Sequence, residues 1–166
     1  MSAFVRFIWF PAVIILLTLA WIWLDSATGW KGLYLPKLGT LFLIAGITLA
    51  GWCSHLFWRV GKGSPHPFTA KTKNLVTTGP YSLVRNPMMW GVGSILAGLA
   101  LLLGSIGLWL GFSLFLLFVR WFVPCYKERD MERRFGAEYR EYCLWVPRWW
   151  PRFSLRKPSE PRRKIG

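Results

Sequence analysis

Two stretches of the chain carry residues that could do chemistry. The first reads Asn74-Leu75-Val76-Thr77-Thr78-Gly79-Pro80-Tyr81 and continues through Arg85-Asn86-Pro87-Met88-Met89-Trp90-Gly91. Gly79-Pro80 reads as a turn. Pro87 suits the first turn of a helix, where its missing N–H costs little, and Asn86 stands at that helix's N-cap. On spacing alone this is a turn, an arginine at the headgroups and a capped helix start. The second stretch is Lys127 to Tyr142, where Met131, Phe135, Tyr139 and Tyr142 recur at steps of four, four and three and form one apolar stripe on a helix. Such a stripe ordinarily packs against a membrane or a bundle. Glu128 falls on the same face, and a carboxylate there, just below an apolar span, requires a partner or a ligand. Asp130 and Arg134 are spaced for an ion pair on the solvated side.

Other chemistries fail for lack of residues. His55 and His66 are the two histidines, and Cys53, Cys125 and Cys143 are an odd number without close spacing. No metal site and no disulfide scaffold is expected. There is no P-loop and no glycine-rich dinucleotide turn. The pairs Gly46–Ala50, Gly93–Ala97 and Ser94–Gly98 read as helix-packing seams.

The elements that position these stretches are apolar helices. The chain has 166 residues, is 54% hydrophobic, holds 12 Trp and 12 Phe, and sets 21 Lys and Arg against 7 Asp and Glu for a net charge of +14. Its apolar content excludes a disordered basic protein. Met88 to Val119 is 32 residues without an ionisable side chain. As one helix it would measure about 48 Å, too long for a single crossing of a hydrocarbon core about 30 Å thick. Gly104-Ser105-Ile106-Gly107 in its middle reads as a turn. The expectation is an all-α integral membrane protein with about four transmembrane helices, near 7–24, 38–58, 88–103 and 106–124, and a cytoplasmic C-terminal amphipathic helix. The 7–24 segment reads as a retained span, because no small-x-small cleavage site closes it.

Lys and Arg set the orientation. The loop 25–37 carries Lys31 and Lys37, the loop 59–87 carries five cations and no acid, and thirteen follow from Arg120 onward. The reading is a multi-pass protein with both termini cytoplasmic. Residues 1–151 form one domain, and 152–166 are a basic, flexible tail that meets anionic headgroups. Nucleic acid is not an expected partner, since no base-reading motif accompanies the charge.

Taken together, the two stretches resemble the integral membrane S-adenosylmethionine-dependent methyltransferases, which include isoprenylcysteine carboxyl methyltransferases and phospholipid N-methyltransferases. The resemblance covers about residues 70 to 151. It rests on Leu-Val-Thr-Thr-Gly-Pro-Tyr, Arg-Asn-Pro-Met-Met-Trp-Gly, the apolar hairpin, Glu128-x-x-Met131-x-x-x-Phe135-Gly136-x-Glu138-Tyr139-x-x-Tyr142 and Val146-Pro147-Arg148. It implies S-adenosylmethionine as cofactor and a lipid-like, membrane-partitioned acceptor. It implies a cofactor pocket lined by Asn74, Leu75, Val76 and Tyr81 from the loop, by Asn86, Pro87, Met88 and Met89 from the helix start, and by Glu128. Arg85 and Arg120 are candidates to hold an anionic group of the substrate, with headgroup contact as their alternative role.

Three residues depart from the family pattern. Asn86 stands where Arg-His-Pro is usual, although the phospholipid branch carries Asn there. Met89 replaces a usual Tyr, and Lys127 replaces the first of two adjacent acids. A carboxylate or thiolate acceptor needs no prior loss of a proton, whereas an amine needs a proton acceptor. The 59–87 loop offers no acid, which favours a carboxylate or thiol, while the Asn-Pro-Met-x-Trp-Gly run points to phospholipid amines. A non-catalytic membrane protein that kept the fold, and a basic adaptor acting through its tail, are the competing classes.

Overall fold

The computed structural model describes residues 16, 19–29, 31–62 and 72–151. Most of the expected 7–24 span, part of the 59–87 loop and the 152–166 tail lie outside them. Among the described residues the chain is helical, with no strand. Helix α1 is described over residues 19–28, and α2 spans Pro36–Arg59. A 3-10 turn at Gly79–Ser82 leads to α3, Pro87–Leu103, and α4, Ile106–Phe122. A π-helical turn at Val123–Lys127 passes into α5, Glu128–Phe135, and α6 follows at Ala137–Trp145.

Two helices among the described residues are long and apolar enough to cross a membrane: Pro36–Arg59 and the continuous rod Ile106–Phe135. The expected third span, Pro87–Leu103, is apolar but 17 residues long, about 26 Å of helix. The expected break after residue 124 is also absent. Pro124 has no N–H to give, and the chain absorbs this by widening into a π turn, with the Glu128 N–H reaching back to the Val123 carbonyl.

Helices α2 and α3 touch backbone to backbone. A Cβ at Gly39 would stand 2.7 Å from the Leu102 N and 2.8 Å from the Gly98 O, and one at Gly46 would stand 2.7 Å from the Gly91 O. Gly46, Ala50 and Gly98 thus share a seam in which the absence of side chains lets the helices meet. Gly93 faces the other way, toward Phe112 and Phe115 of α4. Outside the seam, α2 exposes Leu38, Leu41, Ile44 and Ile47, a face that only an apolar solvent would hide.

At one end of the bundle Gly104 turns the α3–α4 hairpin with φ +61°, a conformation that costs glycine little. Ser105 caps α4 by accepting from the Leu108 N–H. Asp25, expected to begin a loop, lies instead on α1. It is buried, and its Oδ2 accepts from Ser105 Oγ at 2.6 Å and from the Gly107 N–H at 2.9 Å. A carboxylate at a helix N-terminus complements the orphan N–H groups and the dipole there. The α1–α2 connector adds two backbone bonds to the same turn, Gly32 N–H to Gly104 O and Leu35 N–H to Leu101 O.

The expected single amphipathic helix from Lys127 to Tyr142 is two helices. Gly136, at φ +52° and ψ −119°, ends α5 and lets α6 set off in a new direction. The stripe survives the break. Tyr139 and Tyr142 cluster with Val146, and Met131, Phe135, Leu75 and Cys143 pack around them.

Candidate functional site

The opposite end of the bundle holds a cleft between the end of α2, the 72–86 segment, the π turn, α5 and α6. Its walls are Phe57, Thr72, Leu75, Val76, Tyr81, Arg85, Asn86, Lys127, Met131, Tyr139 and Tyr142. Counted to its open mouth the cleft encloses about 400 Å³, and its enclosed part is about 30 Å³. That inner part has room for a water or two, so a nucleoside-sized ligand enters only if wall side chains move aside.

Local chemistry explains how the loop reaches the cleft. Lys73 N–H and Asn74 Nδ2 bond the Gly61 and Val60 carbonyls, which ties the segment to the end of α2. Arg134 donates to the Thr72 carbonyl and hydroxyl while also pairing with Asp130 at 3.5 Å, the pair its spacing predicts. Tyr142 Oη donates to the Tyr81 carbonyl at 2.6 Å and fixes the 3-10 turn. Tyr81 itself packs edge-on against Phe57.

Glu128 has its partners. Its Oε1 accepts from Arg85 Nη1 at 3.0 Å and from Arg148 Nε at 2.9 Å, and its Oε2 accepts from Arg148 Nη2 at 2.6 Å. The carboxylate and Arg85 are 14% and 15% exposed and sit largely out of water, while Arg148, 39% exposed, reaches them from the surface. Arg85 Nη1 also donates to Cys143 Sγ at 3.0 Å. The hydrogen bonds that Arg148 donates to Glu128 raise its affinity for its proton above the ordinary value.

Asn86 does not cap α3 with its side chain. The amide turns into the site instead, where Oδ1 accepts from Lys127 Nζ at 2.8 Å and Nδ2 donates to the Arg148 carbonyl at 3.4 Å. Asn86 is 2% exposed. A strap from Val146 to Trp150 closes this side. Arg85 N–H bonds the Pro147 carbonyl, Trp90 Nε1 bonds the Trp149 carbonyl, and Trp150 meets Trp90 ring to ring.

Of the residues singled out from sequence, Leu75, Val76, Tyr81, Arg85 and Asn86 line the cleft. Glu128 stands behind it, bonded to Arg85. Asn74 is exposed at the end of α2, and Pro87 is buried in the first turn of α3. Met88 packs on the cluster of Cys53, Phe57, Val76 and Tyr81, and Met89 on that of Val119, Phe122 and Val123. Arg120 is exposed in the last turn of α4 and contributes nothing to the cleft walls. Sequence reasoning left Phe57, Thr72, Lys127, Met131, Tyr139 and Tyr142 out of the site. The apolar stripe was the available signal for Met131, Tyr139 and Tyr142, and the Val-Pro-Arg run was the signal for Arg148. Among the described residues no group of His, Cys, Asp and Glu could hold a metal ion.

Two buried donors at the cleft lack a strong acceptor: the Tyr81 hydroxyl, which meets the Cys53 thiol, and Arg85 Nε. Burial drives the Tyr81, Tyr139 and Tyr142 phenols above their ordinary titration range, so all three stay neutral donors. Under-satisfied donors, aromatic walls and a nearby carboxylate fit a ligand that combines a flat ring, hydroxyls and an anionic group.

A profile of the phospholipid methyltransferase family matches residues 36–138. Comparison with curated proteins and with solved structures finds no match. The profile covers helices α2 to α5, and with them every cleft wall except Tyr139 and Tyr142, although the strap falls beyond it. With two apolar helices of membrane length the protein is membrane-associated, and across more than half its length it belongs to the phospholipid methyltransferase family.

Proposed function

We propose that the protein transfers a methyl group from S-adenosylmethionine to a lipid-like acceptor that partitions into the membrane, with a carboxylate or thiol as the accepting group. The observation that carries the choice of acceptor is the state of the acids. Among the described residues no carboxylate lines the cleft, and Glu128, bonded to the cleft wall Arg85, is engaged by Arg85 and Arg148. An amine must surrender a proton to some acceptor before it attacks, and this site offers no free one. A carboxylate attacks as it stands. A thiol does so once it has ionised to water, which its pKa of about 8.5 makes easier than the loss of an ammonium proton at about 10.4.

When bound, the cofactor supplies a methyl group on a sulfonium, open to in-line displacement. The chain's own contribution is alignment and exclusion of water. Tyr139 and Phe57 offer aromatic faces, Asn86 and Tyr81 offer hydrogen bonds, and Glu128 offers a carboxylate held rigidly by two guanidiniums. Leu75, Val76 and Met131 keep the cleft dry. The basic end of the bundle, which holds the cleft, is read as cytoplasmic, with both termini on that side.

The family's own name supports a second reading, a phospholipid amine as acceptor. Calorimetry of detergent-purified protein with S-adenosylmethionine and S-adenosylhomocysteine, followed by labelled methyl transfer, separates the readings. Micromolar cofactor binding and label on a prenylcysteine carboxylate or thiol are the expected result. Label on phosphatidylethanolamine establishes the second reading. Folded protein that binds neither cofactor form is a non-catalytic member that kept the fold.

A further inference from the structure

The charges around the cleft do not balance. Arg85, Lys127 and Arg148 bring three cations to one carboxylate, Glu128, and that carboxylate is shared by the two arginines. Lys127 is the unmatched member. Its ammonium has three protons to give, and one hydrogen bond is formed, to the neutral Asn86 Oδ1 at 2.8 Å. Among the described residues no ion pair includes it. Beside it, on residues that line the same cleft, stand two buried donors short of a strong acceptor, Tyr81 Oη, which meets the weakly accepting Cys53 thiol, and Arg85 Nε. Under-satisfied buried donors and an unpaired cation each cost stability unless a ligand satisfies them.

We propose that Lys127, Arg85 and Tyr81 form a subsite for the carboxylate of a bound ligand. A carboxylate is planar, accepts through two oxygens and carries the missing negative charge, so it answers all three donors at once. The inference rests on the methyl-transfer reading, under which two molecules bring such a group: the cofactor, through its amino-acid end, and a carboxylate acceptor. With three cations set against one carboxylate, the net charge around the cleft suits an anion.

The test is calorimetry on the full chain in detergent, with two pairs of probes. The first pair is S-adenosylhomocysteine and its decarboxylated analogue, which keeps the amine. The second is N-acetyl-S-farnesylcysteine and its amide. At least one acid should bind about tenfold or more tighter than its partner that lacks the carboxylate, the scale of a charged hydrogen bond. Lys127→Gln should close that gap, and Lys127→Arg should keep most of it. A gap in the first pair places the cofactor's carboxylate in the subsite, and a gap in the second places the acceptor's. If the acids bind no tighter than their partners without a carboxylate, or the gap survives Lys127→Gln, the subsite is wrong while the methyl-transfer reading stands. If no nucleoside binds at all, both fall. Should Lys127→Gln fail to fold, Tyr81→Phe takes its place and must narrow the gap by a factor of about three or more.

Discussion

Arg148 grips Glu128 with two parallel hydrogen bonds, Nε to Oε1 at 2.9 Å and Nη2 to Oε2 at 2.6 Å, behind the cleft wall that Arg85 forms. The guanidinium fork matches a carboxylate edge to edge, so this contact fixes the rotation of the carboxylate as well as its position. Arg85 completes the triad from the opposite side. Replacing Glu128 by Gln leaves both guanidiniums without their countercharge. Affinity for S-adenosylhomocysteine should fall by more than tenfold, about 1.4 kcal/mol, and the thermal midpoint should drop. Arg148→Lys keeps a charge but loses the fork, and calorimetry should find its binding between wild type and Glu128→Gln.

Tyr142→Phe tests the clamp on the 3-10 turn. Its hydroxyl donates to the Tyr81 carbonyl at 2.6 Å, and its loss should cost about 1 kcal/mol of stability, read as a lowered denaturation midpoint in detergent.

The three buried phenols also set an alkaline limit. Burial raises their titration above the ordinary value of 10.0 in the folded chain. Below that value both states hold the proton, and stability is unaffected. As pH climbs past it, the unfolded chain releases protons that the folded chain keeps, so stability falls. Melting curves between pH 8 and pH 11 should show the decline beginning near the ordinary phenol value, and Tyr142→Phe should make it shallower.

The glycine seam predicts a sharp contrast between two alanine variants of one helix. At Gly98 a new Cβ meets the Gly39 carbonyl and the Leu43 N–H at 2.8 Å, backbone that cannot step aside. Gly98→Ala should destabilise by about 1–3 kcal/mol. At Gly93 the nearest atoms are ring carbons of Phe115 and Phe112 at 3.6 and 3.8 Å, ordinary contact, and Gly93→Ala should be tolerated. Thermal melts of the two proteins side by side decide it.

Asp25→Asn probes the far end of the bundle. It exchanges a carboxylate that accepts from Ser105 and Gly107 for a neutral amide, at a cost of about 1 kcal/mol. Because the cleft lies at the other end, nucleoside affinity should be unchanged while the melting temperature falls.

Much of this was legible in the chain itself, where one physical cause acted locally. Gly104-Ser105 announced the hairpin, Pro87 marked a helix start, and the Met131–Tyr142 periodicity marked a face that does become buried. The misreadings came where a local rule met a distant partner. Asn86 has the chemistry of an N-cap, yet its side chain is drawn to Lys127, 41 residues on. Asp25 looked like a loop residue because its partners, Ser105 and Gly107, are about 80 positions away. Gly136 interrupted a stripe whose spacing alone could not reveal a left-handed residue. Phe57 and Thr72 carried no signal, since an aromatic at a helix end and a threonine in a loop are commonplace.

The strap has a consequence in time. The Asn86 amide finds the Arg148 carbonyl 62 residues later in the chain. At roughly 5–20 residues per second of synthesis, that is a wait of about 3–12 s. Helices α2 and α3 and their glycine seam are complete before the strap exists. The nascent protein therefore has its packed helix pair first and its cleft last, and the strap side of that cleft cannot close until the ribosome has made Trp150.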